Sequence, residues 1–252
     1  MSADIYLHQI LSREAVDTGS TSPVRGVQSI LQPLIQGWAG GQLSAIHPSG
    51  SFAKGTANHS GTDIDLFISL KSDTTNPLKE IYDSLAECLK KAGYTPRRQN
   101  VSLNIRVGAY DVDLVPAKRQ DTYSDDHSLY RRKADTWTKT NVVKHINDVI
   151  AGGRRAESRV LKLWRNQKGL EFPSFYLELT VINALAGKHG TLSTNVLDVF
   201  GYLRDSFSAA RVVDPANTNN IISDDLTGAE KAQVKAAAER ALGASNWDQI
   251  VV

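Results

Sequence analysis

Asp63 and Asp65 stand two positions apart in Asp63-Ile64-Asp65-Leu66-Phe67-Ile68, after the small-residue stretch Ser49-Gly50-Ser51-Phe52-Ala53-Lys54-Gly55-Thr56. In an extended strand residues i and i+2 point to the same face, so these two carboxylates project together while Ile64 turns away. Paired carboxylates beside a turn of glycine and hydroxyl residues suit Mg2+ carrying a nucleoside triphosphate. A third carboxylate, Asp113, interrupts the apolar run Val112-Asp113-Leu114-Val115-Pro116-Ala117, and Asp111 two positions earlier faces the same way. Two-metal phosphoryl transfer holds its ions ~3.5–4 Å apart between carboxylates, and Asp63, Asp65 and Asp113 supply three. A lone strand aspartate more often faces solvent, but the set, placed on strands, argues for metal.

The elements that must position these groups follow from periodicity. Residues 4–17 and 24–38 read as helices, the second opened by Ser22-Pro23 and closed by Gly40-Gly41. A short extended run over 43–47 leads into the Gly50-Ser51 turn. Residues 63–70 form a strand, 77–92 a helix ended by Gly93, and 101–107 and 110–115 a hairpin stopped by Pro116. The second half changes character: 141–150, 154–167, 174–186, 194–208 and 227–242 read as helices, with a loop over 215–220. The fold class is therefore α+β in two lobes. Residues 1–140 form a mixed-sheet catalytic lobe with N-terminal helices, and 141–252 form a helical lobe.

Composition is that of an ordinary globular chain: 252 residues, 41% hydrophobic, 22% charged and a formal net charge of +2. Global charge gives no argument for nucleic-acid binding. Local basic groups are Arg97-Arg98 and Arg131-Arg132-Lys133, which serve equally as a solvated surface or as a contact to a second nucleotide or RNA, and a run from Arg154 to Lys168, in which Arg155, Arg159 and Lys162 share a side that either meets a triphosphate or is solvated. The single cysteine, Cys88, excludes an intrachain disulfide, and with no apolar run long enough to span a membrane and no signal segment, a cytoplasmic location is expected. His47 and His59 lack metal-ligand spacing. Lys54 either approaches phosphate or is solvated. Ser174 either caps the helix that follows it or contacts phosphate, and Glu178 is expected to pin helices.

Gly50-Ser51, Asp63-Ile64-Asp65 and Val112-Asp113-Leu114-Val115-Pro116-Ala117 resemble the motifs of the polymerase-beta-like nucleotidyltransferase superfamily. The form is similar to the branch holding bacterial cyclic-oligonucleotide synthases of antiphage signalling and the 2'-5'-oligoadenylate synthetases. The resemblance implies a nucleotidyltransferase with its active site in the cleft between lobes. Asp63, Asp65 and Asp113 would be the catalytic metal ligands for Mg2+, with Mn2+ as a substitute. Gly50 and Ser51 would contact the donor triphosphate. Lys162, in Leu161-Lys162-Leu163-Trp164, would hold donor phosphate; Ser174 would contact it too, and Phe175 would stack on the donor base. ATP is the favoured donor. The favoured acceptor is a second nucleotide, giving a cyclic or linear oligonucleotide messenger. The alternatives are nucleotide addition to tRNA or other RNA ends, and a catalytically inactive nucleotide-binding protein. Base choice and any activating protein partner stay open.

Overall fold

The computed structural model describes residues 2–17, 19, 21–61 and 63–252. The elements in chain order are α1 (Ala3–Arg13), α2 (Pro23–Ala39), β1 (Leu43–Pro48), α3 (Gly50–Lys54), β2 (Ile64–Leu70), α4 (Leu78–Lys91), β3 (Arg97–Arg98), β4 (Leu103–Val107), β5 (Tyr110–Arg119), β6 (His127–Arg131) and β7 (Thr136–Thr140). Then follow α5 (Val142–Gly152), α6 (Arg155–Gln167), α7 (Ser174–Ala184), α8 (Leu192–Asp205), β8 (Val213–Asp214), β9 (Asn217–Ile221) and α9 (Gly228–Leu242). Among the described residues no helix is long and apolar enough to cross a membrane.

The chain divides into two compact units, Met1–Val16 with Lys54–Gly61 and Asn147–Val252, and Asp17–Ala53 with Thr62–Ile146. Relative to the division drawn from sequence, α1 and the segment after α3 fall with the helices rather than with the sheet.

The sheet unit carries a mixed sheet in the order β1-β2-β5-β4-β3, with β6 and β7 added beyond the far end of β5. β2 and β5 pair in parallel; the other pairings are antiparallel. Alternation sorts β2 cleanly. Ile64, Leu66, Ile68 and Leu70 are buried on one face, and α2 packs on β1 and β2 while α4 packs on β5 and β6. α4 brings Ile81, Tyr82, Leu85 and Leu89 to that packing, all buried. Asp65, Phe67 and Ser69 take the opposite face.

Two expectations about this unit need correction, and one segment went unassigned. β5 runs through Pro116 instead of stopping there. The reason lies in its neighbours: β4 pairs with β5 only as far as Leu114 and β6 only from Lys118. The missing N–H of Pro116 therefore falls where that edge of β5 has no partner. The stretch after Ser49 is a short helix rather than an open turn. The segment 127–140, for which periodicity gave no strand, forms the β6–β7 hairpin.

In the helical unit one apolar cluster joins α1, α6, α7, α8 and α9 around Trp164, Tyr176, Phe200 and Phe207. Thr227 opens α9 with a reciprocal cap, its side chain on the Glu230 N–H and the Glu230 carboxylate on its own N–H. The segment read as a loop over 215–220 belongs to the small β8–β9 hairpin.

Leu114, fully buried on β5, tests the assignment of the helix-covered face. Leu114→Ala should cost the sheet unit about 2–5 kcal/mol, read by denaturant unfolding; a loss near zero would mean that face is not packed as described.

Candidate active site

The sheet unit assembles a polar row from four strands. In the parallel β2–β5 register Asp65 stands beside Asp113. On the other side of β5, Asp113 faces Asn104 of β4, and Asn104 faces Arg97 of β3. Neighbours in register project to the same side, so Asp65, Asp113, Asn104 and Arg97 form one line across the sheet. Asn104 Nδ2 donates to Asp113 Oδ1 at 2.8 Å, and Gln99 Nε2 donates to the same oxygen at 3.2 Å. Arg97 Nη2 donates to Asn104 Oδ1 at 3.1 Å.

Asp63 lies just before β2 rather than within it, on exposed backbone. Its pKa is raised, first by partial burial and then by the negative charges of Asp113 and Asp111, against the pull of Arg97. Asp63, Asp113 and Asp111 thus share an electrostatic neighbourhood. Asp111 is separately balanced: its cross-strand partner Arg106 donates to it at 2.7 Å.

Gly50 explains how Asp65 is seated. The Ser49 N–H donates to the Asp65 carbonyl at 2.8 Å, which ties the start of α3 to β2. Gly50 has φ +55°, and a Cβ built on it would stand 1.7 Å from Asp65 Oδ2 and 2.4 Å from its Cγ. The Asp65 carboxylate therefore lies directly on the bare Cα of Gly50, a place no other residue leaves open. Ser51 follows in α3, half-buried, and its hydroxyl makes no hydrogen bond to the described residues.

Among the described residues no three His, Cys, Asp or Glu side chains close on one point as a finished cation cage. Mg2+ does not ask for one: it is ordinarily held by one or two carboxylates together with water and substrate phosphates. The all-oxygen donor set, the crowding of negative charge at Asp63 and the glycine seat under Asp65 fit such an ion.

The helical unit holds a second, cationic constellation. Glu178 on α7 is fully buried and shared by two lysines, Lys54 Nζ at 2.6 Å and Lys162 Nζ at 2.5 Å. Lys162 also donates to Thr56 Oγ1 at 2.9 Å and to the Thr56 carbonyl at 3.3 Å, while the Thr56 hydroxyl donates to Glu178. Two ammonium groups on one carboxylate leave a buried net positive charge. Burial pushes the Lys162 pKa down to about 8 against the attraction of Glu178. Burial works to raise the pKa of Glu178, but the two lysines outweigh it and hold the carboxyl below its ordinary value.

Lys54 also lies 5.0 Å from the centroid of the half-buried Phe175 ring. Arg155 passes over Gly55, where a Cβ would meet its side chain at 3.1 Å. Ser174 is the first residue of α7 and makes no cap; its hydroxyl accepts from Arg165 Nη1 at 3.0 Å. Arg159, expected on a common cationic face with Lys162, instead donates to Asn58 Oδ1 and to the carbonyls of Leu11 and Glu14. It fastens α1 to α6.

No protein-family model matches the chain. The cyclic AMP-AMP-AMP synthase of Escherichia coli (strain MS 115-1) is 26% identical over 225 residues, spanning 80% of this chain and 69% of that protein. The solved structure of E. coli MS115-1 CdnC with ATP superposes with a TM-score of 0.80 at 21% identity, covering 99% of this chain and 97% of the other. The chain has the fold of the polymerase-beta-like nucleotidyltransferases, and its sequence resembles that of a bacterial cyclic-oligonucleotide synthase. The fold extends further: the Cid1 poly(U) polymerase bound to MgATP matches with a TM-score of 0.67 at 10% identity, over 95% of this chain and 93% of that one.

Two residues beside Asp113 stood outside the motifs, Gln99 and Asn104. The signal for Asn104 was a buried amide at the centre of a strand, meaningful only once the register puts it beside Asp113. Glu178, read as structural, proves to be the shared partner of Lys162 and of Lys54, whose role was left open.

Glu178→Ala strands two buried ammonium groups and should cost the helical unit about 3–5 kcal/mol, read as a lowered thermal midpoint; an unchanged midpoint would contradict the shared ion pair. Lys162 also sets a pH signature. Its folded pKa of about 8 lies below the ordinary 10.5, so between those values the unfolded chain binds a proton that the folded chain lacks. Stability should rise with pH across that window through this group and fall as pH drops through 8. Lys162→Met should flatten that slope in unfolding measured from pH 7.5 to 10.

Proposed function

We propose that this protein joins the α-phosphate of a nucleoside triphosphate to the hydroxyl of a second nucleotide in the cytoplasm, making a cyclic or linear oligonucleotide messenger of the kind used in antiphage defence. The observation that carries the transfer chemistry is the in-register pair Asp65–Asp113, with Asp65 seated on Gly50. Asp63, Asp65 and Asp113 would hold Mg2+, which when bound neutralises phosphate charge and makes a nearby hydroxyl more acidic.

The chain's own residues do the rest of the work. The Oδ1 atom of Asp113 is engaged by Asn104 and Gln99, so its Oδ2 is the oxygen available to take the acceptor hydroxyl's proton. The oxygen so released forms the new bond to the α-phosphorus, and the bond from that phosphorus to pyrophosphate breaks. Gly50 offers backbone, and Ser51 a hydroxyl, to the departing phosphates. Ser174 and Phe175 keep the donor-contact roles that the resemblance implies, and Lys162 serves the donor phosphates by another route. The route differs from a direct lysine grip, because Lys162 is already engaged with Glu178 and Thr56. Its contribution is the net positive charge of the Lys54–Glu178–Lys162 cluster.

A second nucleotide as acceptor is supported by the 26% identical synthase. RNA-end addition is the second reading, favoured by the shared fold of the Cid1 poly(U) polymerase. Incubation with each labelled nucleoside triphosphate and Mg2+, with and without RNA, separates them. A phosphatase-resistant small product without RNA is expected; label only on RNA would reject the messenger. Asp63→Ala combined with Asp65→Ala should bring pyrophosphate release to background, and release at the native rate would remove the carboxylates from the chemistry.

A further inference from the structure

We propose that Gln99 and Asn104 are positioning residues that hold the Asp113 carboxylate in one orientation, Asn104 locked from behind by Arg97 and Gln99 backed by Ser102. The proposal rests on the reading of Asp113 as a metal-site carboxylate. Both amides donate to the same oxygen, Oδ1, at 3.2 Å and 2.8 Å. Neither amide is free to turn over. The carbonyl oxygen of Asn104 accepts from Arg97 Nη2 at 3.1 Å, and that of Gln99 accepts from the Ser102 hydroxyl at 2.9 Å. An arginine can only donate, so Arg97 obliges Asn104 to present its NH2 group to Asp113. The Ser102 hydroxyl, able to donate or accept, donates to the Gln99 carbonyl oxygen, and it is the acceptor-only Asp113 carboxylate that obliges Gln99 to present its NH2 group.

The backbone behind this arrangement is equally tied. The phenol of Tyr82, buried on α4, donates to the carbonyls of Gln99 and Ser102 at 3.0 Å each. Arg132 Nε donates to the Gln99 carbonyl at 3.1 Å, and the Gln99 N–H to the Ser102 carbonyl at 3.0 Å. The loop that carries Gln99 is therefore fixed to α4 before Gln99 reaches Asp113.

The consequence is asymmetric. The terminal torsion of an aspartate is broad and roughly two-fold, so an unheld carboxylate presents either oxygen. With Oδ1 occupied by two N–H groups, Oδ2 has no hydrogen-bond partner among the described residues and is the oxygen turned to the site. Asn104 also stands in the row between Arg97 and Asp113. It thereby converts a guanidinium that would neutralise the carboxylate into one that orients it at one remove.

The test uses the full chain and two readouts: Mn2+ affinity without nucleotide, from the electron paramagnetic resonance signal of free Mn2+, and the Mg2+ concentration that half-saturates pyrophosphate release. Removing a hydrogen-bond partner of a metal ligand typically weakens metal binding about 10- to 100-fold. Asn104→Ala and Gln99→Ala should each weaken Mn2+ about tenfold and raise the Mg2+ requirement in parallel, with the double variant weaker than either. Asp113→Ala serves as the reference and should lose both. Gln99 is half-buried at the surface of the unit, so Gln99→Ala reports even if Asn104→Ala does not fold. Native Mn2+ affinity in Gln99→Ala and in every folded Asn104 variant, beside a defective Asp113→Ala, would overturn the positioning role and leave the reading of Asp113 standing. Native affinity and turnover in Asp113→Ala would overturn both.

Discussion

The parallel pairing of β2 and β5 holds two carboxylates, Asp65 and Asp113, next to one another on one side of a sheet. Like charges directly opposite one another destabilise a sheet, so this register works against the stability of the unit that adopts it. The compensation is local. Asp113 takes two amide hydrogen bonds on one oxygen, and Asp65 lies on the Cα of Gly50 with the chain held there by the Ser49–Asp65 backbone bond. Burial on the opposite face, through Leu66, Ile68, Leu114 and their helix partners, fixes the register against slippage. A shift of one residue would turn every one of these apolar side chains to the carboxylate side. The hydrophobic face thus decides where the charged groups stand.

The helical unit shows the complementary arrangement, positive charge gathered where it is costly. One buried carboxylate, Glu178, serves two ammonium groups, and Thr56 completes the coordination of Lys162. A buried pair of this kind is poor evidence for stability, because removing the ions from water offsets most of their attraction. The excess lysine makes the arrangement more demanding still, and burial of Lys162 is felt as a pKa near 8.

The candidate carboxylate site was legible in the sequence because it is carried by local motifs. Asp63, Asp65 and Gly50 are neighbours in the chain, and Asp113 interrupts an apolar run. The helices were legible too, since 3.6-residue periodicity and caps such as Ser22-Pro23 are local signals. What escaped is set by pairing. Pro116 read as a strand end because the sequence does not tell that both partners on that edge of β5 leave it unopposed. The β6–β7 hairpin alternates Ser, Tyr, Trp, Thr and Lys, too polar a pattern to announce a buried face. Asn104 is one amide in a strand until the register sets it between Asp113 and Arg97. The pairing of Lys162 with Glu178 escaped too, because Glu178 lies sixteen residues on, across a break between helices.

The central claim is that Asp63, Asp65 and Asp113 form the metal site of a transferase. A crystal structure with Mn2+ and a non-hydrolysable ATP analogue, read by anomalous scattering from the metal, tests it most directly. The account predicts an anomalous peak within coordination distance of the Asp65 and Asp113 carboxylates, with Asp63 as a further ligand and nucleotide phosphate completing the shell. A metal peak elsewhere with these three carboxylates unengaged, or nucleotide bound with none of them near its phosphates, would contradict it.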